Sequence, residues 1–164
     1  MKSSTIYYGI IPLGGSKMND YIINFLKKIM AIDSPSGYTK EVIHHCQKEA
    51  EKLGFQTKKT HKGNLEIYVE GQDDYTVGFC GHVDTLGLMV RSIKSDGTLT
   101  FTNVGGPIIP TLDGEYCRIH TRSGKCYTGT ILSNYPAVHV YKEARTATRD
   151  CDNMHVRIDE VVKK

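Results

Sequence analysis

Gly81-His82-Val83-Asp84 is the part of this chain whose residue types could do chemistry. An imidazole is a good ligand for zinc or cobalt, and a carboxylate two residues on can select which ring nitrogen faces the metal. The same pair also serves as a hydrogen-bonded structural contact. The run before it, Tyr75-Thr76-Val77-Gly78-Phe79-Cys80, is rich in β-branched and aromatic residues and ends at a glycine. It therefore predicts a short buried strand. On a strand, residues two apart share a face, so His82 and Asp84 would project together where the strand ends. Strand ends are where open α/β sheets build their sites. Cys80 would lie on that face too, as a small core filler or, as a thiolate, a further ligand.

The elements that must hold this segment can be read outward from it. Residues 1–17 read as an N-terminal extension ending in Gly14-Gly15-Ser16. From Met18, Tyr21, Ile22, Phe25, Leu26 and Ile29 recur at helical spacing. Asp33-Ser34-Pro35-Ser36-Gly37 stops that helix. A second helix follows, with Val42, Ile43, Cys46, Ala50 and Leu53 as its stripe and Gly54 as its cap. Strands are expected at Phe55 to Thr60 and Leu65 to Val69, then a polar turn at Gly71-Gln72-Asp73-Asp74.

Beyond Asp84 the pattern becomes all-β. Leu88 to Lys94 and Leu99 to Val104 flank Asp96-Gly97, a hairpin signal. Tyr116 to Thr121 and Cys126 to Leu132 flank Ser123-Gly124. Residues 134–153 lack periodicity and predict a long exposed loop. Met154 to Ile158 would be a last strand, and Asp159-Glu160 would open a short helical end. Two subdomains meeting near residue 85 fit this order.

Composition bounds the function. The chain has 164 residues, 39% of them hydrophobic, and no apolar run of membrane-spanning length. The first twelve residues lack the apolar core and cleavage pattern of a secretory signal, so the expected compartment is cytoplasmic. Five cysteines, an odd number without a Cys-x-x-Cys pair, suit reduced thiols. The net charge of +3 is spread out, which argues against nucleic acid as a partner.

Taken in order, Ser34-Pro35-Ser36-Gly37, Gly63-Asn64-Leu65, Gly81-His82-Val83-Asp84, Leu86-Gly87-Leu88-Met89-Val90, Gly105-Gly106, Gly124-Lys125 with Gly129, and Asp159-Glu160-Val161-Val162 carry a resemblance. From about Met18 onward the chain resembles the metal-dependent aminopeptidases of the glutamyl-aminopeptidase and deblocking group. That group includes the tetrahedral aminopeptidases, some of which once carried the names cellulase or endoglucanase. The resemblance implies a phosphorylase/hydrolase-like α/β zinc-peptidase domain interrupted by a small β-barrel dimerisation domain. Residues 18–84 would be the first part of the catalytic domain, 85–158 the insertion, and 159–164 the start of the return.

The resemblance also implies that His82 ligates one of two divalent ions, zinc or cobalt, and that Asp84 orients it. Peptides would be the substrates and a homo-oligomer built through the β insertion the assembly, with neither a membrane nor nucleic acid involved. Thr85 departs from the glutamate common after this aspartate. The family's remaining ligands and its catalytic glutamate lie downstream of the insertion, and no Glu-Glu pair occurs here. Glu115, Glu143 and Glu160 are not such a pair, and His120, His139 and His155 fall in the insertion or its loop. A catalytic zinc site ordinarily takes three protein ligands. The chain alone is therefore expected to be inactive, either an enzyme's N-terminal segment or a non-catalytic oligomerisation module that keeps the scaffold. Residues 18–84 are expected to be the less stable half.

Overall fold

A computed structural model describes residues 15–160, which fall into two compact units. One comprises the residues up to Asp33 together with Lys40–Val83, and the other comprises Ser34–Thr39 and the chain from Asp84 onward. Residues 1–14 of the expected extension and residues 161–164 of the expected helical end lie outside the described residues.

In the first unit, helix α1 spans Gly15–Met30 and helix α2 spans Lys40–Lys52. The first helix thus starts before Met18, taking Gly15, Ser16 and Lys17 from the expected extension. An N-terminal turn needs no intrahelical acceptors for its own N–H groups, so helix ends of this kind are weakly marked in sequence. Tyr21, Phe25 and Ile29 are the half-buried side of α1, while Ile22 and Leu26 are exposed. Tyr21 stacks on Phe25 with ring centroids 6.3 Å apart, and Phe25 on His45 of α2 at 6.0 Å. The Tyr21 hydroxyl donates to Glu49 Oε1 at 3.1 Å. Val42 and Ala50 are the buried hydrophobic residues of α2.

Helix α2 ends as its glycine predicts. Gly54, at φ +88°, donates its N–H to Glu51 O (2.9 Å), and Phe55 donates to Ala50 O (3.0 Å). These paired bonds satisfy the last carbonyls, and the left-handed residue between them costs a glycine little. An antiparallel hairpin follows, β1 Gln56–Lys59 and β2 Leu65–Tyr68, paired from Gln56↔Tyr68 to Lys59↔Leu65. Thr57 joins it to α2 by donating to Glu51 Oε1 at 2.8 Å.

The strand expected at Tyr75 to Cys80 does not form. No strand lies between Tyr68 and Gly87, and the run is exposed throughout, with Phe79 95% exposed. Its composition suits burial, but a strand exists only where a neighbour takes up its backbone groups, and none of the described residues does so. Cys80 is exposed rather than a core filler.

The second unit is built on a five-stranded antiparallel sheet: β3 Gly87–Ile93, β4 Leu99–Val104, β5 Tyr116–His120, β6 Cys126–Ser133 and β7 Met154–Ile158. The spatial order is β3-β4-β7-β6-β5. The β3–β4 turn closes where Asp96-Gly97 predicts, with Lys94 N–H donating to Thr98 O (2.8 Å) and Asp96 Oδ1 accepting from Thr98 N–H (2.9 Å). The second hairpin closes by Thr121 N–H to Lys125 O at 2.9 Å.

Strand β7, last in sequence, lies between the two hairpins. Val156 pairs with Leu99 on one side and with Ile131 on the other. The core forms around it from Leu99, Phe101, Ile131, Met154 and Val156. Gly129 is where β6 and β7 approach too closely for a side chain: an added Cβ would lie 2.8 Å from Val156 Cγ1 and 2.9 Å from Arg157 O. Strands β3 and β5 are the two edges, and no ladder joins them among the described residues.

Residues 134–153 are irregular as expected but are not simply an exposed loop. Lys142–Arg145 forms a 3₁₀ turn with Ala144 buried. Arg149 donates to Ala144 O (3.2 Å), Ala147 O (2.9 Å) and Asp113 Oδ2 (3.3 Å). Side-chain anchors of this kind leave no periodic signal in the sequence. Among the described residues no helix is long and apolar enough to cross a membrane.

Candidate active-site segment

The chain from His82 to Gly87 passes from the first unit into the second, His82 belonging to one and Asp84 to the other. His82 is exposed and Asp84 half-buried. No strand carries the pair, so alternation along a strand does not bring them to one face.

Asp84 is held by a segment far away in sequence. The Ser36 hydroxyl donates to Asp84 Oδ2. One residue on, Thr85 N–H donates to Ser34 O at 2.8 Å, and Pro35 and Thr85 form an isolated parallel bridge. Ser34 is fully buried. Gly87 admits the proline: a Cβ there would lie 2.6 Å from Pro35 Cβ, closer than carbon atoms can pack. All of these residues except Thr85 belong to a motif quoted above. Their pairing across 48 residues had no signal in a single sequence, because neither periodicity nor turn chemistry reaches that far.

The other candidates have contacts of their own. His120 packs against Tyr38, with ring centroids 5.1 Å apart. His155 donates from Nδ1 to Asn134 Oδ1 at 2.7 Å. Burial pushes the thiols of Cys46 and Cys117 up, Asp159 adding to the effect at Cys117. Both are therefore kept in the protonated, poorly nucleophilic form at neutral pH. His45 was not singled out from sequence; its Nε2 is buried without a hydrogen-bond partner among the described residues, against the Phe25 ring.

No group of three or more His, Cys, Asp or Glu side chains able to hold a metal ion occurs among the described residues. One exposed imidazole and one carboxylate fall short of the three protein ligands of a catalytic zinc site. The residues present do not by themselves fit a metal centre.

Comparison with known proteins supplies the wider frame. Residues 63–164 match the M42 glutamyl aminopeptidase family. The putative aminopeptidase YhfE of Bacillus subtilis is 43% identical over 141 residues, covering 85% of this chain and 41% of the relative. Among solved structures, a TET aminopeptidase from a marine sediment archaeon of the Thaumarchaeota superposes with a TM-score of 0.76. It is 26% identical, and the match covers 85% of this chain and 39% of that one. The TET1 peptidase of Pyrococcus horikoshii, described as assembling into a tetrahedron or a large octahedral shell, gives 0.69 at 26% identity, over 84% and 40%. The chain thus spans about two fifths of the length of these relatives.

Proposed function

Because the chain belongs to the M42 glutamyl aminopeptidase family, we propose that it is the N-terminal part of a metal-dependent aminopeptidase that removes N-terminal residues from peptides. The observation that carries this reading is the family match over residues 63–164, which includes Gly81-His82-Val83-Asp84. Residues 18–84 are proposed as the first part of the catalytic domain, 85–158 as the inserted β-barrel dimerisation domain and 159–164 as the return. The assembly described for the TET1 peptidase supports a homo-oligomer, and that insertion is proposed as the surface through which it forms.

In the whole enzyme, two divalent ions, zinc or cobalt, would polarise the scissile carbonyl and acidify a water. This chain's contribution would be His82 as one ligand and Asp84 as the carboxylate that orients it. Since the described residues make no metal centre, the chain alone is proposed to be inactive. The same observation favours a second reading, a non-catalytic oligomerisation module on the family scaffold.

A chimera separates the two. This chain replaces the matching 41% of the Bacillus relative, and release from aminoacyl-p-nitroanilides is assayed with zinc or cobalt. The enzyme reading expects metal-dependent turnover that falls at least about a hundredfold in His82→Ala. A folded chimera without turnover favours the module. Turnover indifferent to His82→Ala overturns the role given to that histidine.

A further inference from the structure

Ser34-Pro35-Ser36-Gly37 reads from sequence as a turn that stops a helix, and the fold gives it a second task. Gly37 stands at φ +88°, and Tyr38 N–H donates to Pro35 O at 2.7 Å, closing the turn on itself. The turn is fastened to the chain at Asp84–Gly87 in three ways. Thr85 N–H binds Ser34 O, Pro35 bridges Thr85, and Pro35 fills the space left open by Gly87. So fastened, the turn presents the Ser36 hydroxyl to Asp84 Oδ2.

A carboxylate on an irregular segment rotates broadly about its terminal torsion. A donor bound to one oxygen favours one of those orientations, and a hydrogen bond to an ionised group does so by roughly tenfold or more. A fastened backbone adds to this, because the donor is already in place and no loop has to be ordered to make the bond.

We propose that Ser36 is a positioning residue: its hydroxyl fixes the Asp84 carboxylate in the orientation that serves His82. This rests on the role proposed for Asp84. Ser36 is given no part in covalent chemistry here, since its hydroxyl is already committed as a donor to a carboxylate.

The test is made on the isotopically labelled chain at one pH above the histidine range, reading the ¹⁵N resonances of the His82 ring, which report its tautomer. Asp84→Asn serves as the reference. Ser36→Ala should move the His82 resonances in the same direction as Asp84→Asn, changing the tautomer ratio by roughly tenfold. Ser36→Thr, which keeps the hydroxyl, should restore them. Unchanged amide signals for Thr130 and Val156 would show that the sheet remains folded.

If Asp84→Asn moves His82 and Ser36→Ala does not, the Ser36 proposal is wrong and the reading of Asp84 stands. If neither variant moves His82, the reading of Asp84 fails and the proposal fails with it. If Ser36→Thr behaves like Ser36→Ala, the hydroxyl is not the positioning group. In an active chimera, the expected companion result is a fall in kcat with KM little changed.

Discussion

Two phenylalanines carry opposite expectations. Phe101 is 1% exposed, at the centre of the cluster with Leu99, Ile131, Met154 and Val156; Phe79 is 95% exposed. Truncating a buried phenylalanine removes its transfer energy and leaves a cavity, so Phe101→Ala should cost about 3–5 kcal/mol. The same substitution at Phe79 should stay within about 0.5 kcal/mol, because it neither uncovers nor vacates anything. With urea slopes near 2 kcal/mol per molar, Phe101→Ala should lower the midpoint by about 2 M. The transition is best followed through amide resonances of the sheet, such as Thr130 and Val156, since a chain of two units need not unfold in one step. A Phe79→Ala penalty as large as that of Phe101→Ala would mean that Tyr75 to Cys80 is covered in solution, and would restore the buried strand. A penalty below about 1 kcal/mol at Phe101 would refute the assignment of the core.

Gly129→Ala should destabilise by about 1–3 kcal/mol, because the new Cβ meets Arg157 O as well as side chains and a paired backbone cannot step aside; thermal unfolding would show it, and an unchanged Tm would contradict the close approach of β6 and β7. Burial, followed by Lys94 and Arg157 and opposed by Asp96, holds the His155 imidazole below its ordinary value of 6.5. The unfolded chain therefore takes up the proton first, so stability is full above about pH 6.5 and falls as pH drops through the folded value. His155→Gln should flatten the fall of stability as pH drops below about 6.5, and an unaltered slope would assign it to other groups. At neutral pH an alkylating reagent should label the exposed Cys80 and Cys126 well before Cys46 and Cys117, whose thiols burial pushes up. Mass spectrometry of the peptides gives the order, and slow labelling of Cys80 would again argue for a covered strand.

What could be read from the sequence follows the range of the interactions. Asp96-Gly97 and Ser123-Gly124 place both hairpins within a residue or two of their observed bounds, because a turn and its flanking alternation are complete within the short stretches 87–104 and 116–133. Gly54 marks the end of α2 for the same reason. The place of β7 between β4 and β6 is not local. Met154 to Ile158 announces a strand, but nothing in it names Leu99 and Ile131 as the neighbours of Val156.

The two halves of the chemical segment divide in the same way. Tyr75 to Cys80 has the composition of a covered strand, and composition states what a segment is suited to rather than whether a partner is present. Hence the pattern is sound, while the exposure of Phe79 shows the partner missing among the described residues. At Asp84 the reverse holds. The sequence names no distant neighbour, yet the fold supplies Ser36, Pro35 and Ser34 through contacts that need only one hydroxyl, one carbonyl and one missing side chain at position 87. Such contacts involve few atoms and no repeating pattern, so a motif that looks like a turn can be the support of a carboxylate. Substituting Ser36 decides that question more directly than substituting His82, because it leaves both the imidazole and the carboxylate in the chain and changes only what holds them.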